Sequence, residues 1–302
     1  MYDLIIIGGG PAGLTAAVYA IRKRLNVLLV SKDLGGKTQW HLSLPWIEDY
    51  QVIRGLEVVN KFKSELEYLD FARHMEAVEK IERDGENFLV RTQGGGELKA
   101  RALIVASGAK QQTMKVPGEK EYMMKGLCYS ALSYAPLFID RTVLVVGDRD
   151  LALRSAGELA TIAQQVYLVC PGEQLPDTPL CHKLQRSANV TILKNQQVLE
   201  VKGDQYARAA VLKGANGSAP KELAADAIFV EMALLPNTQM VAGLVDLDDE
   251  GRIKVDCANR TSVPGIFAAG DVTSGYAEQV LIAVGEGAKA ALSAYEYLLP
   301  ML

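Results

Sequence analysis

The sequence is poor in cysteine, with four in 302 residues at Cys128, Cys170, Cys181 and Cys257. That is too few for a disulfide scaffold. No C-x-x-C spacing occurs, which excludes a zinc ribbon and a motif-type redox pair. Histidine is scarcer still: His41, His74 and His182 have no metal-ligand spacing, and no Ser/His/Asp hydrolase arrangement stands out. There is no excess of positive charge. With 32 Lys+Arg against 36 Asp+Glu the net charge is −4, which leaves no general electrostatic reason to bind nucleic acid or an anionic membrane. Low-complexity tracts and charge blocks are absent. The one long uncharged run, from Leu4 to Ile21, is broken by Gly8-Gly9-Gly10-Pro11, and no basic segment precedes it. Neither a membrane span nor a signal peptide is therefore expected, and the expected location is cytoplasmic. The apolar content of 49% excludes a disordered chain, and the length suits two domains.

What is present is a repeated unit. Tyr2-Asp3-Leu4-Ile5-Ile6-Ile7 is a short β-branched run of the kind buried on both faces of a parallel sheet. A glycine turn follows, then a helical stretch to Arg24, then a second buried strand at Asn26–Val30. The same order begins again at Arg141: strand Thr142–Val146, Gly147, helix Leu151–Ala163, strand Gln165–Val169. Gly8 falls on Gly147 and Gly13 on Ala152, both at an offset of 139. Two βαβ units so related predict an α/β protein with two Rossmann-like, three-layer nucleotide-binding domains. Between them, Glu57–Leu69 reads as an amphipathic helix, Glu76–Ala102 as a meander and Leu103–Ala106 as a buried strand ending at Ser107-Gly108. Pro264–Ala269 is a further strand running into Gly270-Asp271, and Glu278–Leu299 is a closing helix. The expected organisation places residues 114–245 as a domain inserted into a first domain of residues 1–113 and 246–302.

The first turn, Gly8-x-Gly10-Pro11-Ala12-Gly13, has the dinucleotide spacing in its required context, after a strand and before a helix. One glycine makes the turn, one lets a pyrophosphate meet bare backbone, and one lets helix and strand pack. The helix N-terminus offers free N–H groups to phosphate. The acidic ribose ligand expected at the end of the second strand is less clear. Ser31 stands at the strand end and Asp33 lies two residues on, so Asp33 reads equally as a ribose ligand or as a solvated turn residue.

Ile7–Gly13, Gly35-Gly36, Ile104–Ala109, Pro117-Gly118-Glu119 and Gly265-Ile266-Phe267-Ala268-Ala269-Gly270-Asp271-Val272 together resemble the low-molecular-weight thioredoxin reductase family of flavoproteins, in order and over nearly the whole chain. The resemblance implies FAD on the first domain, held by Gly8, Gly10, Pro11, Ala12, Gly13, Ser31, Asp33, Gly36, Lys37, Ser107, Gly108 and Gly270. Asp271 would bond the ribityl chain, and the helix N-terminus at Gln279-Val280 would face the flavin pyrimidine. That last role is physically sound, because a helix N-terminus favours negative charge. A homodimer is a further implication.

Two departures from that pattern bear on function. Ser130 and Ser133 occupy the positions of the family's redox cysteines, and hydroxyls cannot form a disulfide. The second glycine of the inserted domain's fingerprint is Arg149, flanked by Asp148 and Asp150, and the stretch after the next strand carries Glu173 and Asp177 but no base before Lys183. NADPH is therefore not expected in the usual mode; Arg149 gripping a phosphate is the other reading. Within the family the combination is most similar to the cyanobacterial diflavin-linked disulfide oxidoreductases. These imply a possible second FAD, no pyridine nucleotide and a disulfide elsewhere. Trp40, Trp46 and Tyr50 are candidates to stack on a second flavin, or are ordinary core aromatics. Cys170 and Cys181, with ten residues between them, are the candidate redox pair, with Cys128 a weaker choice. The expected function is an FAD-dependent oxidoreductase acting with a thioredoxin-like dithiol partner. The alternatives are electron exchange with a ferredoxin-like protein, and a non-catalytic flavin sensor or scaffold.

Overall fold

The computed structural model describes residues 1–50, 55–214, 219–275 and 277–302, with no account of the side chains of 48–50 and 132. The helices are α1 (Pro11–Arg22), α2 (Leu56–Glu67), α3 (Ala131–Tyr134), α4 (Asp150–Leu159), α5 (Pro179–Arg186) and α6 (Val280–Leu298). The chain divides into two compact units. The first comprises Met1–Gln39, Ile53–Lys110 and Leu235–Leu302; the second comprises Trp40–Val52 and Gln111–Leu234.

In the first unit, strand Tyr2–Ile7 lies in parallel between Val27–Val30 and Glu97–Val105. The long strand Glu97–Val105 carries two partners on its other edge: Asn87–Thr92 antiparallel along its first half, and Ile266–Ala268 parallel along its second. Successive residues of the first strand feed opposite cores. Leu4 and Ile6 pack with α1 and α6, while Ile5 and Ile7 pack with Val241, Val245 and Ile253. This is the period-2 alternation of a strand covered on both faces, and it explains why the run reads as continuously apolar.

The second unit repeats the scheme. Its parallel sheet runs Leu127–Cys128, Ala227–Val230, Thr142–Val146, Gln165–Cys170, Val190–Lys194. Val143 and Val145 enter one core with Leu153 and Phe229, and Leu144 and Val146 enter another with Val198 and Leu212. The second core is closed by the antiparallel sheet Gln196–Gly203, Ala207–Gly214, Lys221–Ala224.

The division differs from the expected boundaries in three places, residues 111–113 also grouping with the second unit. Residues 40–52 group with the second unit, because the hairpin Leu42–Leu44/Ile47–Tyr50 buries Leu42 and Leu44 fully in the core around Phe138 and Phe229. Residues 235–245 group with the first unit, where Val241 and Val245 pack beneath the sheet. Among the described residues no helix is long and apolar enough to cross a membrane.

Candidate functional site

The glycines of the first turn divide by what surrounds them. A Cβ on Gly8 (φ +111°) would lie 2.2 Å from the Ala106 carbonyl oxygen, and one on Gly13 would lie 1.8 Å from the Gly8 carbonyl oxygen. Both are packing requirements. A Cβ on Gly10 would meet nothing within 4 Å, and the same holds for Gly108. Gly10 is the N-cap of α1, with extended backbone and no capping side chain, and Pro11 opens the helix. The first turn of α1 thus presents uncapped N–H groups beside open backbone, which fits a diphosphate.

Around this floor the loops are tied by charge and hydrogen bonds. Asp33 Oδ1 accepts from the Gly36 N–H (3.0 Å) and from Gln39 Nε2 (3.2 Å), while the Ser31 hydroxyl donates to the Asp33 carbonyl. One oxygen of the Asp33 carboxylate thus closes the loop that brings Gly36 against Gly10. Lys37 Nζ pairs with Asp271 Oδ2 at 2.7 Å. The Gly270 N–H donates to Glu286 Oε2 on α6 at 2.7 Å. Burial pushes the Glu286 carboxyl above its ordinary range; the Gly270 bond and Lys289 oppose this, and the nearby Asp271 carboxylate adds to it. Ser107 and Asn237 clasp each other, the Ser107 hydroxyl donating to the Asn237 carbonyl (2.7 Å) and the Asn237 amide donating back to the Ser107 carbonyl (2.8 Å). Gln279 is the N-cap of α6, again with no capping side-chain bond, and Val280 begins the helix.

The second turn keeps the backbone and changes its surface. A Cβ on Gly147 would lie 2.4 Å from the Glu231 carbonyl oxygen and 2.8 Å from the Ala152 methyl. Arg149 occupies the N-cap of α4 with φ −108° and ψ −179°, close to the −73° and −178° of Gly10. Its side chain is exposed. The Asp148 carboxylate accepts from the Gly172 N–H at 3.0 Å, joining the ends of two neighbouring strands.

These features can be set beside known proteins. The family model for pyridine nucleotide-disulphide oxidoreductases matches residues 2–287. The protein belongs to that family. Its members are FAD-binding oxidoreductases. The chain is 37% identical to alkyl hydroperoxide reductase F of Pseudomonas aeruginosa, over 99% of this chain and 58% of that protein. It is 31% identical to an NADH dehydrogenase of Bacillus subtilis, over 99% of this chain and 59% of that one. The chain therefore spans under two thirds of these relatives. Among solved structures, thioredoxin reductase from Streptococcus pyogenes superposes with a TM-score of 0.88 at 33% identity, covering 99% of both chains. The thioredoxin reductase-like two-domain architecture is thereby shown.

Against the usual dithiol of a disulphide oxidoreductase, the thiols of this family member are poorly placed. Ser130 donates to Ser133 at 3.1 Å, a hydroxyl pair at the start of α3. Cys170 and Cys181, the candidate pair, are free thiols in one apolar core, at 0% and 2% exposure. Burial first, then the Asp148 charge, pushes the Cys170 thiol up to about 12. Cys128 is also buried and free, and burial and then Glu231 hold its thiol far above the ordinary range. A reactive thiol needs the opposite environment. Cys257 alone of the four cysteines is exposed.

The candidate second-flavin aromatics belong to the second unit. Trp46 is held edge-on by Phe138 (5.9 Å), has the Arg141 guanidinium 4.1 Å from its ring centre, and donates its indole N–H to the Leu137 carbonyl. Trp40 packs at a tilt on Tyr129, 6.2 Å between ring centres. The side chain of Tyr50 lies outside the described residues. Glu286 and Asn237 escaped the sequence reading. Glu286 carried a signal, since it is an acid between two glycines in a mainly apolar helix.

Proposed function

We propose that the chain is an FAD-dependent oxidoreductase that exchanges electrons with a redox protein carrying its own dithiol or disulfide, without taking NADPH in the usual mode. The contrast between Gly10, open above its Cα, and Arg149, a guanidinium side chain on nearly the same backbone, carries this reading. In the first unit the N–H groups of Ala12 and Gly13 at the start of α1 would hold the cofactor's diphosphate. Asp271, steadied by Lys37, would hold its ribityl hydroxyls, and the N-terminus of α6 at Gln279-Val280 would favour negative charge at the pyrimidine end. FAD supplies a two-electron redox centre when bound. In the second unit the Asp148 carboxylate already holds the Gly172 N–H and repels phosphate. Both relatives carry the name of a reductase or dehydrogenase, one of them an NADH dehydrogenase, so pyridine nucleotide is the comparison to test.

Oxidation of a partner dithiol to a disulfide releases two electrons and two protons, the capacity of one FAD. Ser130 and Ser133 cannot relay them, and the buried thiols are poor relays, so the partner's own thiols must reach the flavin. The same lack of an accessible relay favours a second reading, direct exchange with a ferredoxin-like protein, which needs no thiol on this chain.

The test is an anaerobic titration of the FAD-saturated protein, read at the flavin absorbance. A reduced thioredoxin-like protein bleaches the flavin, whereas NADPH and NADH do not. Bleaching by NADPH at catalytic rates sinks the proposal. Bleaching by reduced ferredoxin alone selects the second reading, and bleaching by none identifies a flavin-binding sensor or scaffold. The flavin content checks the diflavin resemblance. Two FAD per chain would support the second-flavin site at Trp40, Trp46 and Tyr50, and firm saturation at one would remove it.

A further inference from the structure

We propose that Lys37 sets the reduction potential of the flavin by neutralising Asp271, so that the carboxylate assigned to the ribityl chain does not oppose the negative charge that reduction brings. This rests on the reading that FAD binds the first unit. The acids of that site are held in two different ways. Asp33 and Glu286 are bonded by uncharged donors, Asp33 by the Gly36 N–H and Gln39 Nε2, Glu286 by the Gly270 N–H. Asp271 is instead held by a cation, Lys37 Nζ, 2.7 Å from its Oδ2. The two side chains are 32% and 18% exposed, so solvent and salt screen this pair less than an open surface pair. Together they carry no net charge.

The backbone brings the two charges together. Lys37 follows Gly36, on which a Cβ would lie 3.3 Å from the Gly10 Cα, so the short turn Gly36–Gln39 starts against the diphosphate turn. Asp271 follows Gly270, on which a Cβ would lie 3.1 Å from the Ala12 methyl at the start of α1. The ion pair therefore spans two loops that both abut the cofactor turn. Neither α1 nor α6 has an acid in its first turn, so without the lysine Asp271 would be an uncompensated anion between two helix starts that favour negative charge. The sign of the effect follows from the charge balance. A partner dithiol closing to its disulfide releases two electrons and two protons. One proton goes with the electrons to the flavin and the other to solvent, so reduction adds one negative charge there. A neighbouring carboxylate disfavours that charge and leaves the neutral oxidised ring almost unaffected. Lys37 acts through Asp271 and is a positioning residue. By linkage, any shift in potential equals a change in the ratio of affinities for reduced and oxidised FAD.

An equilibrium redox titration of the FAD-loaded chain against a dye of known potential tests this, with protein in excess so that no free FAD contributes. Lys37→Gln is expected to weaken the binding of reduced FAD about tenfold relative to oxidised FAD, a fall of about 30 mV for a two-electron couple. Lys37→Arg keeps the wild-type potential. Asp271→Asn raises it, and Asp271→Asn combined with Lys37→Gln returns it to the wild-type value, because the net charge is again zero. A purely structural tie between the loops would weaken both redox forms equally. A potential unmoved by Lys37→Gln with FAD bound therefore overturns the proposal. So does a double variant whose potential stays as low as that of Lys37→Gln alone. A wild-type chain that takes up no FAD overturns both this inference and the reading beneath it.

Discussion

The turn at Gly8–Gly13 and the turn at Gly147–Ala152 follow the same kind of strand, open the same kind of helix and hold nearly the same backbone at their middle residue. In both, the outer fingerprint positions are fixed by packing: Gly8 against Ala106 and Gly13 in one, Gly147 against Glu231 and Ala152 in the other. They part at the middle position. Gly10 leaves open space and Arg149 fills its place with a long cationic side chain, while Asp148 uses up a nearby backbone N–H. A fold therefore retains the glycines its own packing needs even where the ligand-facing glycine has gone. The survival of the outer positions says little about what a turn binds.

Exchanging the residues should separate the two roles. Gly10→Arg is expected to weaken FAD binding by a factor on the order of 100 or more, while the apo melting temperature stays nearly unchanged, because nothing lies within 4 Å of the new Cβ. Gly8→Ala should do the reverse and cost roughly 1–3 kcal/mol of stability with or without FAD, since φ +111° and the Ala106 oxygen both resist a side chain. Fluorescence titration and calorimetry read the two effects. Equal behaviour of the two variants would erase the distinction.

The converse substitution, Asp148→Asn with Arg149→Gly, should open the second turn. Equilibrium dialysis is expected to show a gain on the order of tenfold in NADPH or NADH affinity over a very weak wild type. Arg149→Gly alone should gain less, because the carboxylate on the Gly172 N–H remains. Tight binding by the unaltered chain would show that Arg149 grips the phosphate.

Asp148 also acts on the neighbouring Cys170, which gives a finer comparison. One thiol per native chain, Cys257, should react with a thiol reagent at pH 8, and four after denaturation. Asp148→Asn removes a charge that raises the Cys170 thiol, yet burial is the larger cause, so the native count should remain one. A second fast thiol in the variant would make charge, not burial, the controlling influence.

The two βαβ units were legible because each strand is buried on both faces and each turn needs glycine for packing. Both causes are local and leave a mark in sequence. The hairpin at 40–52 left none: its Leu42 and Leu44 read as apolar residues, but their burial against Phe138 and Phe229 is a tertiary fact. Spacing alone suggested Cys170–Cys181 as a redox pair, whereas reactivity depends on surroundings, and theirs are apolar. Asp33 was found by its distance from the glycines, and the structure gives one of its oxygens to the loop. The acid that braces the Gly270 turn, Glu286, lies in a helix far along the chain, beyond any fixed-spacing rule.

Glu286 supplies the smallest expected effect, and its sign can be worked out. Burial is the leading cause of its raised carboxyl pKa, so the folded state holds the proton more tightly than the unfolded state, whose ordinary value is 4.5. Between those two values the native chain binds more protons, and stability falls as pH rises from below 4.5 through the folded pKa. Glu286→Gln has no proton to lose there and keeps an oxygen for the Gly270 N–H. At pH 4 the variant and wild type should therefore differ by a fixed offset. By pH 7 the melting temperature of the variant, relative to wild type, should have risen by about 1–3 °C. The slope of that difference is the measurement. If it falls with pH, the hydrogen bond from Gly270 stabilises the ionised form by more than burial penalises it, and the Gly270 turn then rests on a charged brace.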